Sequence, residues 1–203
     1  MERCLYLIAD FSYGEEVIAA VLEAGIDYIQ LREKQVSSAE YLARAKKVRQ
    51  MATHYGTKFI VNDRLDIAAL SDADGVHLGQ SDIPVRDARD FLGATKIIGA
   101  TAKTPGQAVA AKDAGADYLG SGAWFPTGTK QDAVPITEET YRSILKAAKI
   151  PNIAVGGITA GNCQAPLACG ANGLAISAGI LKAQNPAQEA QEIRRILGHA
   201  GPA

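Results

Sequence analysis

Ala24-Gly25-Ile26-Asp27-Tyr28-Ile29-Gln30-Leu31-Arg32-Glu33-Lys34 holds a helix end, a tight turn, a buried strand and a charged strand terminus in one unbroken run. Glycine just past a helix, followed at once by an apolar stretch, marks a short αβ turn. The arrangement recurs at Ala73-Asp74-Gly75-Val76, Ala114-Gly115-Ala116-Asp117-Tyr118 and Cys169-Gly170-Ala171-Asn172-Gly173. Each passage closes an Ala-rich amphipathic segment and opens an apolar one. The chain repeats itself.

Between these passages lie further apolar runs at residues 5–9, 58–61, 96–100 and 152–155. With 28–31, 75–78, 118–122 and 173–176 they make eight expected strands. Helical periodicity fills the gaps, for example over 15–24, 39–55, 107–114, 138–148 and 187–197. Strands alternating with helices predict a parallel sheet. Strands apolar on both faces, with no polar or Pro-broken edge candidate, predict closure into a (β/α)8 TIM barrel rather than an open sheet. With 203 residues the barrel has short loops and forms a single domain over residues 1–203.

Composition excludes several classes. Lys+Arg 21 against Asp+Glu 22 gives a net charge of −1, so no field draws nucleic acid or an acidic membrane. No apolar run reaches the roughly 18 residues that a membrane span needs. Met1-Glu2-Arg3-Cys4 leads straight into a strand without a signal-peptide layout. Cys4, Cys163 and Cys169 are scattered without metal-ligand spacing. A cytoplasmic protein with reduced thiols is expected, acting on small molecules. A homo-oligomer is compatible with the sequence but not required by it.

A barrel of this kind places function at the C-terminal ends of its strands, and the unusual residues fall there. In an extended strand Gln30, Arg32 and Lys34 point to one side, about 7 Å apart. Two cations aimed together imply an anion between them, a phosphate or pyrophosphate; snorkelling side chains on a solvated strand end would give the same pattern. Gly156-Gly157, opening into a helix, and Ser177 with the amides after it read as the phosphate site common in such barrels. Tight turns alone would also use those glycines. Asp63 and Asp82 end neighbouring strands, so both carboxylates reach one mouth and could share Mg²⁺ with a phosphate. Helix capping is the competing reading for each. The Pro126-Thr127-Gly128-Thr129-Lys130 loop offers two hydroxyls and an ammonium, in the manner of a lid. His77 lies mid-strand and reads as an interior hydrogen-bonded residue; no Ser/His/Asp or Cys/His set occurs. Cations, a metal site and anion sites without a general base suit a reaction in which an activated phosphate leaves.

Gln30-Leu31-Arg32-Glu33-Lys34, Asn62-Asp63-Arg64, Gly75-Val76-His77-Leu78-Gly79-Gln80-Ser81-Asp82, Pro126-Thr127-Gly128-Thr129-Lys130 and Gly156-Gly157-Ile158 together resemble the thiamin-phosphate synthase (thiamin phosphate pyrophosphorylase) family, nearly along the whole chain. The resemblance implies a (β/α)8 transferase. It would join hydroxymethylpyrimidine pyrophosphate to hydroxyethylthiazole phosphate and release pyrophosphate. It implies that Gln30, Leu31, Arg32, Glu33, Lys34, Asn62, Thr101 and Lys130 hold the pyrimidine pyrophosphate. Thr127, Gly128, Thr129, Gly157, Ile176 and Ser177 would hold the thiazole phosphate, and Asp63 and Asp82 the Mg²⁺. Lys130, Arg32, Lys34 and Thr101 take the catalytic parts. Thr101 stands where the family usually has serine, Lys103 where histidine is common, and Ala123-Trp124 where a Pro-aliphatic pair is usual. A thiazole tautomerase of the same family would use a histidine in the strand-6 loop, and residues 118–136 contain none. A non-catalytic phospho-ligand sensor on the same barrel is the alternative from another class.

Overall fold

The computed structural model describes residues 3–127 and 135–198. Eight parallel strands close into a barrel in sequence order: β1 (Cys4–Ala9), β2 (Tyr28–Leu31), β3 (Lys58–Asn62), β4 (Gly75–Leu78), β5 (Ile97–Thr101), β6 (Tyr118–Gly122), β7 (Asn152–Val155) and β8 (Gly173–Ile176). The outer ring contains α1 (Glu15–Glu23), α2 (Ser38–Tyr55), α3 (Leu65–Leu70), α4 (Val85–Leu92), α5 (Pro105–Asp113), α6 (Glu138–Ala148), α7 (Gln164–Ala168), α8 (Ala178–Leu181) and α9 (Pro186–Leu197). β3 and β5 each end one residue later than the apolar pattern predicts. Asn62 and Thr101 are polar, yet Asn62 still pairs with His77 and Thr101 with Gly120 across the ladder.

Alternation sorts the strand residues into two cores. Tyr6, Ile60, Tyr118, Ile153 and Ala175 fill the barrel interior, with Ile8, Tyr28, Ile97 and Val155 packed against them. Leu5, Leu7, Ile29, Leu31, Phe59, Val61, Val76, Leu174 and Ile176 face outward and bury the helices' apolar stripes. Caps confirm where several helices start. Ser37, Thr104 and Asn185 each accept a hydrogen bond from a first-turn amide, and Pro105 and Pro186 follow the last two.

The repeated turn has a structural purpose. Asp27 accepts from the Leu5 amide (2.7 Å), Asp74 from Phe59 (2.8 Å), Asp117 from Ile98 (2.7 Å) and Asn172 from Asn152 (2.9 Å). In every case the acceptor precedes an even-numbered strand, and the donor is the first or second residue of the odd-numbered strand before it. Each bond satisfies a backbone N–H at the bottom of the barrel and ties a β-α-β unit together. The three carboxylates also face arginines, Asp27–Arg194 at 3.6 Å, Asp74–Arg49 at 2.7 Å and Asp117–Arg89 at 2.6 Å.

One expectation about the upper rim is corrected. The chain does not open into a helix at Gly156-Gly157; it turns through the following residues, and α7 begins only at Gln164. Both glycines have positive φ, 100° and 67°, and a Cβ on Gly157 would lie 2.7 Å from Phe125 Cβ and from the Pro126 carbonyl. The strand-6 loop packs directly on this turn, and two successive residues at positive φ do not begin a right-handed helix.

Candidate active site

The rim residues of β8, β1 and β2 enclose a cleft of about 400 Å³ lined by Asp10, Tyr13, Arg32, Glu33, Lys34, Ala178 and Lys182. Arg32 and Lys34 thus reach the same space, although not by strand alternation. β2 ends at Leu31, and Lys34 lies in a bend beyond it. Lys182 is a third cation that strand-end reasoning missed. Its sequence signal is spacing, since Ala178 and Lys182 stand one helical turn apart after Ser177.

Glu33 also lines that cleft, but its carboxylate is engaged elsewhere. Its carboxylate accepts from the Phe11 amide at 3.0 Å and pairs with Arg44 of α2 at 2.8 Å, and its side chain is only 5% exposed. Tyr41, also on α2, donates to the Leu31 carbonyl (2.8 Å) and stands 3.1 Å from the Asn62 carbonyl. Helix α2 therefore holds the ends of both β2 and β3. Leu31 and Ile176 point their side chains into the outer core, so only their backbones can face a ligand.

Asp63 and Asp82 do come together. Asp63 has a left-handed backbone, φ 63°, and neither residue caps a helix: α3 and α4 start without any side-chain cap. Asp82 Oδ2 instead accepts from the Gly79 amide at 2.6 Å. Burial, then the hydrogen bond and charge of the Asp82 carboxylate, raise the Asp63 pKa from 3.8 to about 6, while Arg32 draws it down. Arg32 thus lines the cleft and also acts, through its charge, on the carboxylate pair. Asn62 is buried beside this pair at the top of β3.

Thr101 ends β5 with its hydroxyl 3.0 Å from His77 Nε2. Gln30 is buried inside the barrel and donates to the Tyr6 hydroxyl at 2.9 Å. Across the rim, Ser177 precedes α8, and Gly179 lies so close to the Ile158 carbonyl that a Cβ would be 2.1 Å from it. The turns after β7 and β8 are thereby packed together, with Gly157 and Ser177 at their starts. Thr127 is the last residue described before the break. Gly128, Thr129 and Lys130 lie outside the described residues.

A family profile described as thiamine monophosphate synthase matches residues 5–180. The chain belongs to the thiamine monophosphate synthase family. It is 41% identical over 199 residues to a thiamine-phosphate synthase of Clostridioides difficile, covering 95% of each chain. A thiamine-phosphate synthase of Methanobrevibacter smithii is 40% identical over 190 residues, 92% of this chain and 91% of the relative. Among solved structures, a thiamine phosphate pyrophosphorylase from Pyrococcus furiosus superposes with a TM-score of 0.88 at 36% identity, covering 97% of this chain and 96% of that one. The matched span of the thiamine monophosphate synthase family runs from β1 into α8, so it contains every rim residue described above except Lys182.

Proposed function

We propose that the chain is a thiamin-phosphate synthase, joining hydroxymethylpyrimidine pyrophosphate to hydroxyethylthiazole phosphate with release of pyrophosphate. The observation that carries this reading is the continuity of charge around the rim. Lys182, Arg32 and Lys34 line one cleft, and Arg32 acts on Asp63, which in turn meets Asp82. A pyrophosphate seated by the cations can extend its oxygens toward the two carboxylates. Among the described residues no cluster of three or more His, Cys, Asp or Glu could hold a metal by itself. Two carboxylates suit Mg²⁺, which keeps several waters and takes further oxygens from a substrate phosphate. The mutual repulsion of Asp63 and Asp82 is what a divalent cation would relieve. When bound, Mg²⁺ would neutralise charge on the departing pyrophosphate.

The chain's own groups supply the rest. Gln30, Asn62 and Thr101 seat the pyrimidine. Arg32 and Lys34 hold its pyrophosphate, with Lys130 as a further cation. Thr127, Gly128, Thr129, Gly157 and Ser177, with the Ile176 backbone, receive the thiazole phosphate. The aminopyrimidine ring delocalises the positive charge left at its CH₂ when the C–O bond breaks. The thiazole nitrogen then attacks, and since it carries no proton, no base is needed. Alignment and exclusion of water do the remaining work. The absence of any histidine from residues 118–136 speaks against a tautomerase. Among the described residues no helix is long and apolar enough to cross a membrane, which accords with a cytoplasmic enzyme of small-molecule metabolism. The test is an assay with both substrates, with and without Mg²⁺, reading pyrophosphate and thiamin phosphate together. Equimolar products that require Mg²⁺ are expected. No thiamin phosphate with Mg²⁺ present would overturn the activity, and full turnover in chelator the metal.

A further inference from the structure

The cation pair of the cleft has a carboxylate between its members. Arg32, Glu33 and Lys34 are consecutive, and all three line the same space. Three cations there (Arg32, Lys34 and Lys182) face two carboxylates, Asp10 and Glu33. An anion entering the cleft competes with those carboxylates for the cations. Asp10 is engaged locally, accepting from the Ser12 amide at 2.9 Å and from the Ser12 hydroxyl. Glu33, bonded along the chain to both Arg32 and Lys34, is the stronger competitor.

The packing around Glu33 keeps it out of that competition. Its Oε1 accepts from the Phe11 amide at 3.0 Å, and its Oε2 meets Arg44 Nη1 at 2.8 Å. Arg44 is fixed in its turn. Glu40, one turn earlier on α2, holds Nη2, and the guanidinium carbon lies 5.4 Å from the centre of the Phe11 ring. Three segments thus meet at Glu33: the chain after β1, the chain after β2, and α2. A carboxylate as buried as this one needs a counter-charge. Without Arg44, the cations that line the cleft with it are Arg32, Lys34 and Lys182, and turning to them restores a partner. The cost falls on the cleft. Its three cations against Asp10 leave a net charge of +2, and a released Glu33 lowers that to +1.

We propose that Arg44 is a positioning residue for anion binding: it holds the Glu33 carboxylate against α2 and so leaves Arg32 and Lys34 free for pyrophosphate. Arg44 itself does not line the cleft. The inference rests on the pyrophosphate seat proposed above. A plain brace makes a different prediction for Glu33. If the ion pair only stiffened the rim, losing either partner would weaken binding alike. If Arg44 withholds a competing charge, removing that charge from Glu33 cures the loss of Arg44.

Calorimetric titration of the full chain with inorganic pyrophosphate, in the presence of Mg²⁺, tests this. Arg44→Gln should raise the Kd about tenfold, since the released carboxylate takes up a charge-assisted bond meant for the anion. The double variant Glu33→Gln/Arg44→Gln should recover at least about threefold of that loss, as coupled neighbours do. In the coupled assay KM for the pyrimidine pyrophosphate should follow the same order, with KM for thiazole phosphate unchanged. A folded Arg44→Gln that binds like wild type, or a smaller recovery in the double variant, would overturn the proposal. If Arg44→Gln does not fold, Glu33→Gln decides alone, because its amide oxygen can still accept from Phe11. Binding at least as tight as wild type is then expected, and weaker binding would overturn the proposal. Wild-type protein that binds no pyrophosphate would overturn it as well. Wild-type protein that binds pyrophosphate but couples no substrates would overturn the functional reading alone.

Discussion

Asp63 is a non-glycine residue at φ 63° whose carboxyl is held up at about pKa 6 by burial and by Asp82. Between its ordinary 3.8 and that value, the folded protein binds a proton that the unfolded chain has released. Stability therefore falls as pH rises through this window, and above it the ionised Asp63 remains a burden. Asp63→Asn should stabilise the metal-free protein at pH 7.5 by on the order of 1 kcal/mol, allowing for solvent screening, and leave it unchanged near pH 4. The same variant should lose most of its turnover. Urea unfolding at the two pH values and the coupled assay check this; a variant less stable at pH 7.5 would contradict it. Arg32 and Lys34 make a second contrast at this scale. Removing either should weaken the pyrimidine pyrophosphate by about 1.5–3 kcal/mol, one charge-assisted hydrogen bond, and leave thiazole phosphate binding nearly unchanged. Calorimetric titration of each ligand separately reads the difference, and equal losses would point to misfolding instead.

The turn before each even-numbered strand shows what a sequence pattern conveys and what it omits. Repetition of Gly with Asp or Asn predicts a short αβ turn before a strand, and the barrel follows from the count of strands. The pattern does not show where the acidic side chain points, because its partner is an amide on a different strand. Asp74 illustrates the energetics. Burial raises its pKa, but the Phe59 amide and Arg49 outweigh burial and hold it low. Asn172 does the same bonding without charge. Asp74→Asn should therefore cost less than about 1 kcal/mol, the worth of a partly exposed ion pair. Asp74→Ala, which orphans the Phe59 amide, should cost about 1–3 kcal/mol. Denaturant midpoints of the two variants measure this, and an Asn variant as weak as the Ala variant would sink the hydrogen-bond account. Glu33 was obscure for the same reason. Lying between two cations it resembles a ligand contact, whereas Arg44, on the next helix, makes it a brace. In the sequence Gly156-Gly157 reads as a helix start, because Phe125 and Pro126, which pack against Gly157, are distant from it along the chain.

The closed barrel brings the ends of β8, β1, β2, β3 and β4 onto one rim, with Lys182, Arg32 and Lys34 on one side and Asp63 and Asp82 on the other. This split was legible for the strand ends. Lys182 was not, because it enters through a four-residue helix whose direction only the packed rim determines. Under the proposed function, the charge split would make binding of metal and pyrophosphate interdependent. Mg²⁺ alone would face two carboxylates but also the nearby Arg32 charge, and pyrophosphate alone would meet the cations but also the repulsion of Asp63. Each ligand removes what opposes the other, so the two should stabilise the fold more together than the sum of their separate effects. A ligand at about 100 times its Kd adds about 2.7 kcal/mol, or roughly 5–11 °C in Tm for a chain of this length. Thermal unfolding should show small shifts with Mg²⁺ or inorganic pyrophosphate alone and a shift of that size with both. Lys182→Ala should reduce the joint shift while leaving the shift with Mg²⁺ alone untouched, because the lysine lies across the rim from the carboxylates. Strictly additive shifts would mean that the cation cleft and the carboxylate pair are independent sites, and the continuity of charge that joins them into one active site would be refuted.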